Sequence, residues 1–438
     1  MGVVCNDESR GNVLREYAMS NIMIIYPMPD FIKKPRFGFS YDLLTIATVL
    51  SREGHNIFLK DFSCEPYNFN CFAAEIIDKK IELVLIEFDS FALKRSENYT
   101  HGLMIVETIK SINEQIAVIA YGHHCCISHK DIPKAAHTVK QNNYNEIFKA
   151  INRTITSVKK ISYISEFDSL PVICRGLLWQ IEYYKKNSRS TLVQTAVGCE
   201  NTCVFCQRKG WQKKYQAHSD NYVLNEFRLL RDQGYINIWI VDENFTFNLS
   251  RAKRILRLLI DNNVTDKMKI SISSWSNIDD DFLFLASQAN IKTISFGVES
   301  GNQNIINFYR KNIDLTRTKS IIRSANKLGI FTVGNFIIGA PMESYDTIDE
   351  TFKFIRECEF DQVNIKTLDY MMGSELYESV ESIAQGRSHI FACEENGLTG
   401  FSLQEIADIK INFLSEYYAE HKGRIKRKIE EFGTPYEM

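Results

Sequence analysis

Residues 191–210 read TLVQTAVGCENTCVFCQRKG, a β-branched run that opens into three thiols, Cys199, Cys203 and Cys206, within eight residues. Three thiolates can hold three irons of a [4Fe-4S] cluster, which leaves the fourth iron free to take a ligand from outside the chain. A structural zinc site asks for four closed tetrahedral ligands, often as two Cys-x2-Cys pairs, and no second pair lies nearby. Three unligated thiols in a loop are the other alternative. With eleven cysteines in 438 residues, three at this spacing directly after an apolar strand point to a metal centre rather than to coincidence.

Downstream of that loop, five further runs have strand character: NIWIVD (237–242), KISISSW (269–275), TISFGV (293–298), TVGNFIIG (332–339) and QVNIKTL (362–368). Helical stretches such as LSRAKRILRLLIDN and YDTIDETFKFIREC separate them, several opening on Asp, Ser or Thr as caps. Together with TLVQTAV they make six βα units, too few for a closed eight-stranded barrel but enough for an open, partial one. Catalytic groups are then expected at the carboxyl ends of the strands.

Upstream, NIMIIYP, HNIFLKDF, IELVLIEF and QIAVIAYG alternate with SYDLLTIATVLSREG, a polar helix and GLMIVETIKSIN. Short apolar runs divided by amphipathic helices imply a parallel sheet covered on both faces, the doubly wound, Rossmann-like arrangement. Its ligand edge is expected at residues 27–40, 88–91 and 121–126. The expected organisation is an α/β chain with a Rossmann-like domain at 1–150, a connector at 151–190, a partial barrel at 191–385 and a helical region at 386–438. The basic stretch HKGRIKRKIEE near the end reads as the solvated face of a helix.

Composition narrows the function classes. Hydrophobic residues make up 45% and charged residues 24%, with a formal net charge of −2, so neither a nucleic-acid nor a membrane partner is expected. The start MGVVCNDESRG has no apolar core of signal-peptide length, and no run approaches the ~18 apolar residues of a membrane span. A cytoplasmic location follows as the expectation. In that reducing compartment Cys5, Cys64, Cys71, Cys174, Cys358 and Cys393 read as isolated thiols, and no disulfide is expected.

The Cys-x3-Cys-x2-Cys spacing, with aromatic Phe205 before the last thiol, resembles the signature of the radical S-adenosylmethionine (SAM) enzymes. The resemblance implies a (β/α)6 partial barrel with the cluster loop after its first strand. It also implies that SAM chelates the open iron through its amino and carboxylate groups. An external reductase or flavodoxin-type donor would reduce the cluster, and the sulfonium would then break to a 5'-deoxyadenosyl radical. Carried over by position, the SAM neighbours are Phe205, Asp242, Glu243 and Asn244 in VDENFTFN, Ser274 and Ser276 in SWS, Glu299 in FGVESGNQ, and Gly339 in FIIGAPMES. Relatives often carry arginine near the third strand, where this chain has Trp275. Tyr370 in DYMMGSELYE is the substrate-side candidate.

The order of domains resembles the radical SAM class with an N-terminal cobalamin-binding domain. Three departures stand out. The fingerprint Asp-x-His-x2-Gly is absent after the first strand, and relatives usually place two glycines against the cofactor's nucleotide tail at the end of the fourth strand, where this chain has Tyr121 and Gly122. The third strand also ends in Glu87, Phe88 and Asp89 instead of small polar residues. Three functions remain open. The first is cobalamin-free hydrogen abstraction from a small molecule leading to rearrangement, elimination or deoxygenation; it is narrowly favoured. The second is cobalamin-dependent methyl transfer, and the third a non-catalytic iron-sulfur or zinc protein.

Overall fold

The computed structural model describes residues 19–27, 39–88, 97–127, 132, 134–140, 143–155, 167–178, 190–207, 214–385, 387, 389–394 and 397–433. Most of the expected ligand-edge segments 27–40 and 88–91 and much of the expected connector lie outside the described residues. The chain divides into two compact units, Met1–Ser188 and Arg189–Met438. Residues 151–188 thus group with the first unit, and the C-terminal helical region groups with the second.

The first unit is built on five parallel strands, β1 (Asn21–Tyr26), β2 (Asn56–Asp61), β3 (Leu83–Glu87), β4 (Ala117–Gly122) and β5 (His137–Lys140), in the order β2-β1-β3-β4-β5. Among the described residues five helices accompany them: α1 (Tyr41–Arg52), α2 (Phe69–Asp78), α3 (Glu97–Ile112), α4 (His123–Ile127) and α5 (Tyr144–Thr154). Ile22 to Ile25 and Leu83 to Ile86 are fully buried without alternation, as strands covered on both faces must be. Ser40, Asn68 and Asn143 cap α1, α2 and α5 by accepting from backbone N–H groups. Cys174, expected as an isolated thiol, is disulfide-bonded.

The second unit carries six parallel strands, β6 (Ser190–Val193), β9 (Asn237–Ile240), β10 (Lys269–Ser274), β11 (Ile291–Glu299), β12 (Phe331–Ile338) and β13 (Gln362–Thr367), in the order β13-β12-β11-β10-β9-β6. Because β6 and β13 remain edges, the barrel is open, as six units imply. A short antiparallel pair, β7 (Ala196–Val197) with β8 (Gln216–Ala217), closes the base of the cysteine loop. A second pair, β14 (Asp369–Met371) with β15 (His389–Phe391), follows the last strand.

The helix Leu403–Phe432 opens on a capping box at Ser402 and Glu405. Phe413 stacks on Phe352 at 3.8 Å, and the Tyr417 hydroxyl donates to Phe360 O at 2.5 Å. Its basic end is not simply solvated. Arg424 and Lys428 reach the buried Asp361 carboxylate at 2.8 and 2.5 Å, so these two cations tie the helix to the start of β13. Among the described residues, no helix is long and apolar enough to cross a membrane.

Candidate functional site

The cysteine loop leaves β6 through a stem held by buried charge. The Asp242 carboxylate, at the end of β9, accepts from Thr195 N at 2.7 Å, Thr195 Oγ1 at 2.5 Å and Ala196 N at 3.0 Å. Burial pushes its pKa up to about 6, against these hydrogen bonds and the nearby Arg251 guanidinium. Arg251 donates to Thr195 O at 3.0 Å and His218 O at 2.8 Å, which joins the two limbs of the loop. Gly198 N, just before the first thiol, donates to Glu243 Oε2 at 3.0 Å. Asp242 and Glu243 therefore fix the stem of the loop. Asn244 folds its Oδ1 back onto Thr246 N at 3.2 Å, a local turn.

Cys199, Cys203 and Cys206 are all half-buried. Asn201 Nδ2 donates to Cys199 Sγ at 3.1 Å, and Cys206 N donates to Cys203 O at 3.1 Å. The far side of the loop is pinned where Val204 N donates to Tyr309 O and Leu376 N donates to Val204 O. Burial pushes the Cys203 thiol up to about 12, with Lys311 opposing and Cys206, Glu299 and Cys199 reinforcing. The three thiols thus share one electrostatic neighbourhood with Glu299 and Lys311. Coordination to a metal removes such thiol protons outright. Among the described residues, no three His, Cys, Asp or Glu side chains converge as a single ion requires. A cluster asks for less, since each thiolate takes its own iron.

Beside the thiols stands an ion pair that the sequence did not announce. Lys311 Nζ donates to Glu299 Oε1 at 2.5 Å, with side-chain exposures of 3% and 11%. The same ammonium lies 4.6 Å from the centre of the Trp275 ring, where cation and ring quadrupole attract. Glu299 ends β11 in a left-handed conformation, φ 75°, after a register irregularity from Gly297 to Glu299. A Cβ on Gly297 would sit 2.8 Å from Lys311 Nζ and 2.9 Å from Glu299 Oε1, so that glycine makes room for the pair. Gly301 is explained otherwise, by the close approach of Thr351 and Phe354.

The remaining expected positions divide. Phe205 lies edge-on to the Tyr309 ring at 5.2 Å. Ser274 and Ser276 are buried, bonded to Thr246 and Thr318 at 2.6 Å each, so both hydroxyls serve packing of the barrel wall. Gly339 is buried with φ 97°, and a Cβ built there would make ordinary contacts at 3.9 Å with Ile406, Leu368 and Thr367. Its N–H and that of Ala340 donate to Glu343 Oε2 at 2.5 and 2.8 Å. Tyr370 packs in an apolar cluster with Val204, Tyr309 and Ala340. Burial lifts Glu343 to about 7, and it lifts Tyr309 well above the phenol range. Glu343 Oε1 and the Tyr309 hydroxyl are buried and have no partner among the described groups.

Sequence reasoning missed Lys311, Tyr309, Arg251 and Glu343. Lys311 supplies a cation at the end of the third barrel strand, where the resemblance implied a basic residue and Trp275 stood instead. These residues suit SAM: a carboxylate and an ammonium for its amino acid end, and orphaned buried polar atoms. The three thiols suit a [4Fe-4S] cluster. At the first unit's edge, Tyr121 is wholly buried, and Glu87, 1% exposed, accepts from Ser40 Oγ at 2.9 Å.

The family model described as the radical SAM superfamily matches residues 193–355. Uncharacterized methyltransferase PH0819 of Pyrococcus horikoshii is 24% identical over 391 residues, 82% of this chain and 83% of that protein. Cytidylyl-2-hydroxyethylphosphonate methyltransferase of Streptomyces wedmorensis is 28% identical over 212 residues, 46% of this chain and 39% of that protein. Among solved structures, the radical SAM methyltransferase TsrM from Kitasatospora setae, with tryptophan and a SAM analogue bound, superposes with a TM-score of 0.70 at 15% identity, covering 84% of this chain and 77% of that one. The cobalamin-dependent radical enzyme OxsB, with aqua-cobalamin and SAM bound, superposes with a TM-score of 0.68 at 14% identity, over 94% and 72% of the two chains.

Proposed function

Residues 193–355 match the radical SAM superfamily, and from that premise we propose that the protein's first chemical step removes a hydrogen atom from a carbon of a small-molecule substrate. When bound, the cluster and SAM supply a 5'-deoxyadenosyl radical, formed by one electron from an external flavodoxin-type donor as the sulfonium breaks homolytically. The chain's own residues bind and orient. Cys199, Cys203 and Cys206 would each hold one iron. Glu299 and Lys311 offer the opposite charges that the α-amino and α-carboxylate groups of SAM require, and Trp275 gives Lys311 a platform. Gly339, which has no side chain, would let the adenine approach the backbone at the end of β12.

The observation that carries this reading is the buried Glu299–Lys311 pair, whose charges both act on the Cys203 thiol. It accounts for two charges in a dry site that neither a zinc loop nor a surface turn needs. The test is electron paramagnetic resonance of the reduced, reconstituted protein with and without SAM. A change in the cluster signal on adding SAM is expected, and an unchanged signal would contradict SAM ligation.

A second reading, cobalamin-dependent methyl transfer after the same abstraction, is favoured by the relatives, since PH0819, the Streptomyces wedmorensis enzyme and TsrM are methyltransferases by name. The comparisons weigh for it more than for the rearrangement, elimination or deoxygenation expected from the sequence. What weighs the other way is the set of residues at the first unit's sheet edge.

A further inference from the structure

We infer that the first unit does not seat cobalamin, because the space beside the end of β4 that a nucleotide tail would enter is filled by Tyr121 and Tyr144, both tied to Asp42. The inference deepens the functional reading above, on which it rests, by assigning that unit no cofactor. Tyr121 occupies one of the two positions where the resemblance puts glycine against the tail. Its ring is not exposed at the sheet edge, where it could swing aside. It lies at zero exposure on the face of the sheet covered by α1 and α5, with its hydroxyl donating to Asp42 Oδ2 at 3.1 Å. Tyr144, at the start of α5, donates to Asp42 Oδ1 at 2.8 Å. One buried carboxylate therefore holds both rings in place.

The anchoring is what makes the blockage firm. To admit a tail, Tyr121 would have to leave Asp42, and a carboxylate 3% exposed would lose a hydrogen bond in a place where water does not replace it. The same face is closed one strand over. Glu87 stands in register with Tyr121, and its carboxylate is held by Ser40, the cap of α1. A polar carboxyl group is thus present where a nucleotide base would have to pack.

Gly122, the one glycine that remains, needs no ligand to explain it. Its φ is 125°, and a Cβ there would sit 2.7 Å from Phe88 O. The chain comes this close because Phe88 N donates to Tyr121 O at 2.6 Å and His124 N donates to Phe88 O at 3.1 Å. The glycine serves the β3–β4 junction. Directly beyond it α4 begins, and the His124 ring packs against Tyr99 at 4.4 Å.

The test uses the full chain with its cluster reconstituted anaerobically, incubated with excess hydroxocobalamin, desalted, and read by visible absorption for corrinoid per protein. Reductive SAM cleavage is measured in the same preparation without cobalamin. No corrinoid above a cobalamin-free control is expected, with 5'-deoxyadenosine still formed. Retention of one equivalent by the wild type would overturn the inference whether or not SAM is cleaved. Absence of SAM cleavage without retention would instead sink the functional reading and leave the inference standing. A Tyr121→Gly, Asp42→Leu variant that folds gives a second arm. Corrinoid retained by this variant and not by the wild type is the expected direction, and equal retention by both would contradict the blocking role of the trio.

Discussion

Lys311 follows Glu299 by twelve residues and donates to its Oε1 at 2.5 Å, while its ammonium rests 4.6 Å from the Trp275 ring centre. Three elements meet in this contact: the end of β11, the loop after helix Gln303–Phe308, and the end of β10. Breaking a buried pair by removing one partner leaves an uncompensated charge and costs about 3–5 kcal/mol. Lys311→Met should therefore lower stability by that order, measured by denaturant unfolding. The double variant Glu299→Leu, Lys311→Met should recover most of it yet fail to bind SAM. If the double variant binds SAM as the wild type does, the pair is structural only.

Gly297→Ala separates site from scaffold. The added methyl meets only the flexible ends of Lys311 and Glu299, so the fold should survive with a loss within about 1 kcal/mol. The pair must move, and SAM affinity measured by equilibrium dialysis should fall at least tenfold, about 1.4 kcal/mol. Unchanged affinity would argue against a SAM role for the pair.

Glu343 gives a pH signature. Its folded pKa is raised to about 7 by burial, so between its unfolded value of about 4.3 and pH 7 the native state holds more protons than the unfolded one. Stability contributed by this group is then greatest at the acid end of that window and falls as pH rises through 7. The change is on the order of 3 kcal/mol. Subtracting the Glu343→Gln curve from the wild-type curve should isolate this slope, and a flat difference would contradict the burial argument.

Tyr121→Phe removes one of two tyrosyl hydroxyls from Asp42 without changing the volume of the slot. A loss of about 1–3 kcal/mol is expected, read as a lower denaturation midpoint at constant m-value. No loss would mean that Tyr121 merely fills space and does not lock the slot.

How far the sequence carried depended on whether the signal was local. All six barrel strands were legible because each is a short apolar run between capped helices, and KISISSW and QVNIKTL coincide with β10 and β13 within one residue at each end. The cysteine loop was legible because three thiols sit within eight residues of one another. Lys311 was not, since it sits twelve residues from its partner after an unremarkable helix and only tertiary packing brings it over Trp275. Asp242, carried over as a SAM neighbour, has instead both oxygens on Thr195 and Ala196, a choice made by the fold of the loop stem. The basic run at the C-terminus read as solvated because its target, Asp361, lies more than sixty residues away.

The most direct measurement is 5'-deoxyadenosine formation from SAM under a strong one-electron reductant, by the anaerobically reconstituted wild type and by Cys203→Ala. The wild type should form 5'-deoxyadenosine and methionine in equal amounts, and Cys203→Ala should form neither. Product from the variant at the wild-type rate, or none from a wild type shown to carry its cluster, would contradict the assignment of Cys199, Cys203 and Cys206 as the ligands of a SAM-cleaving centre.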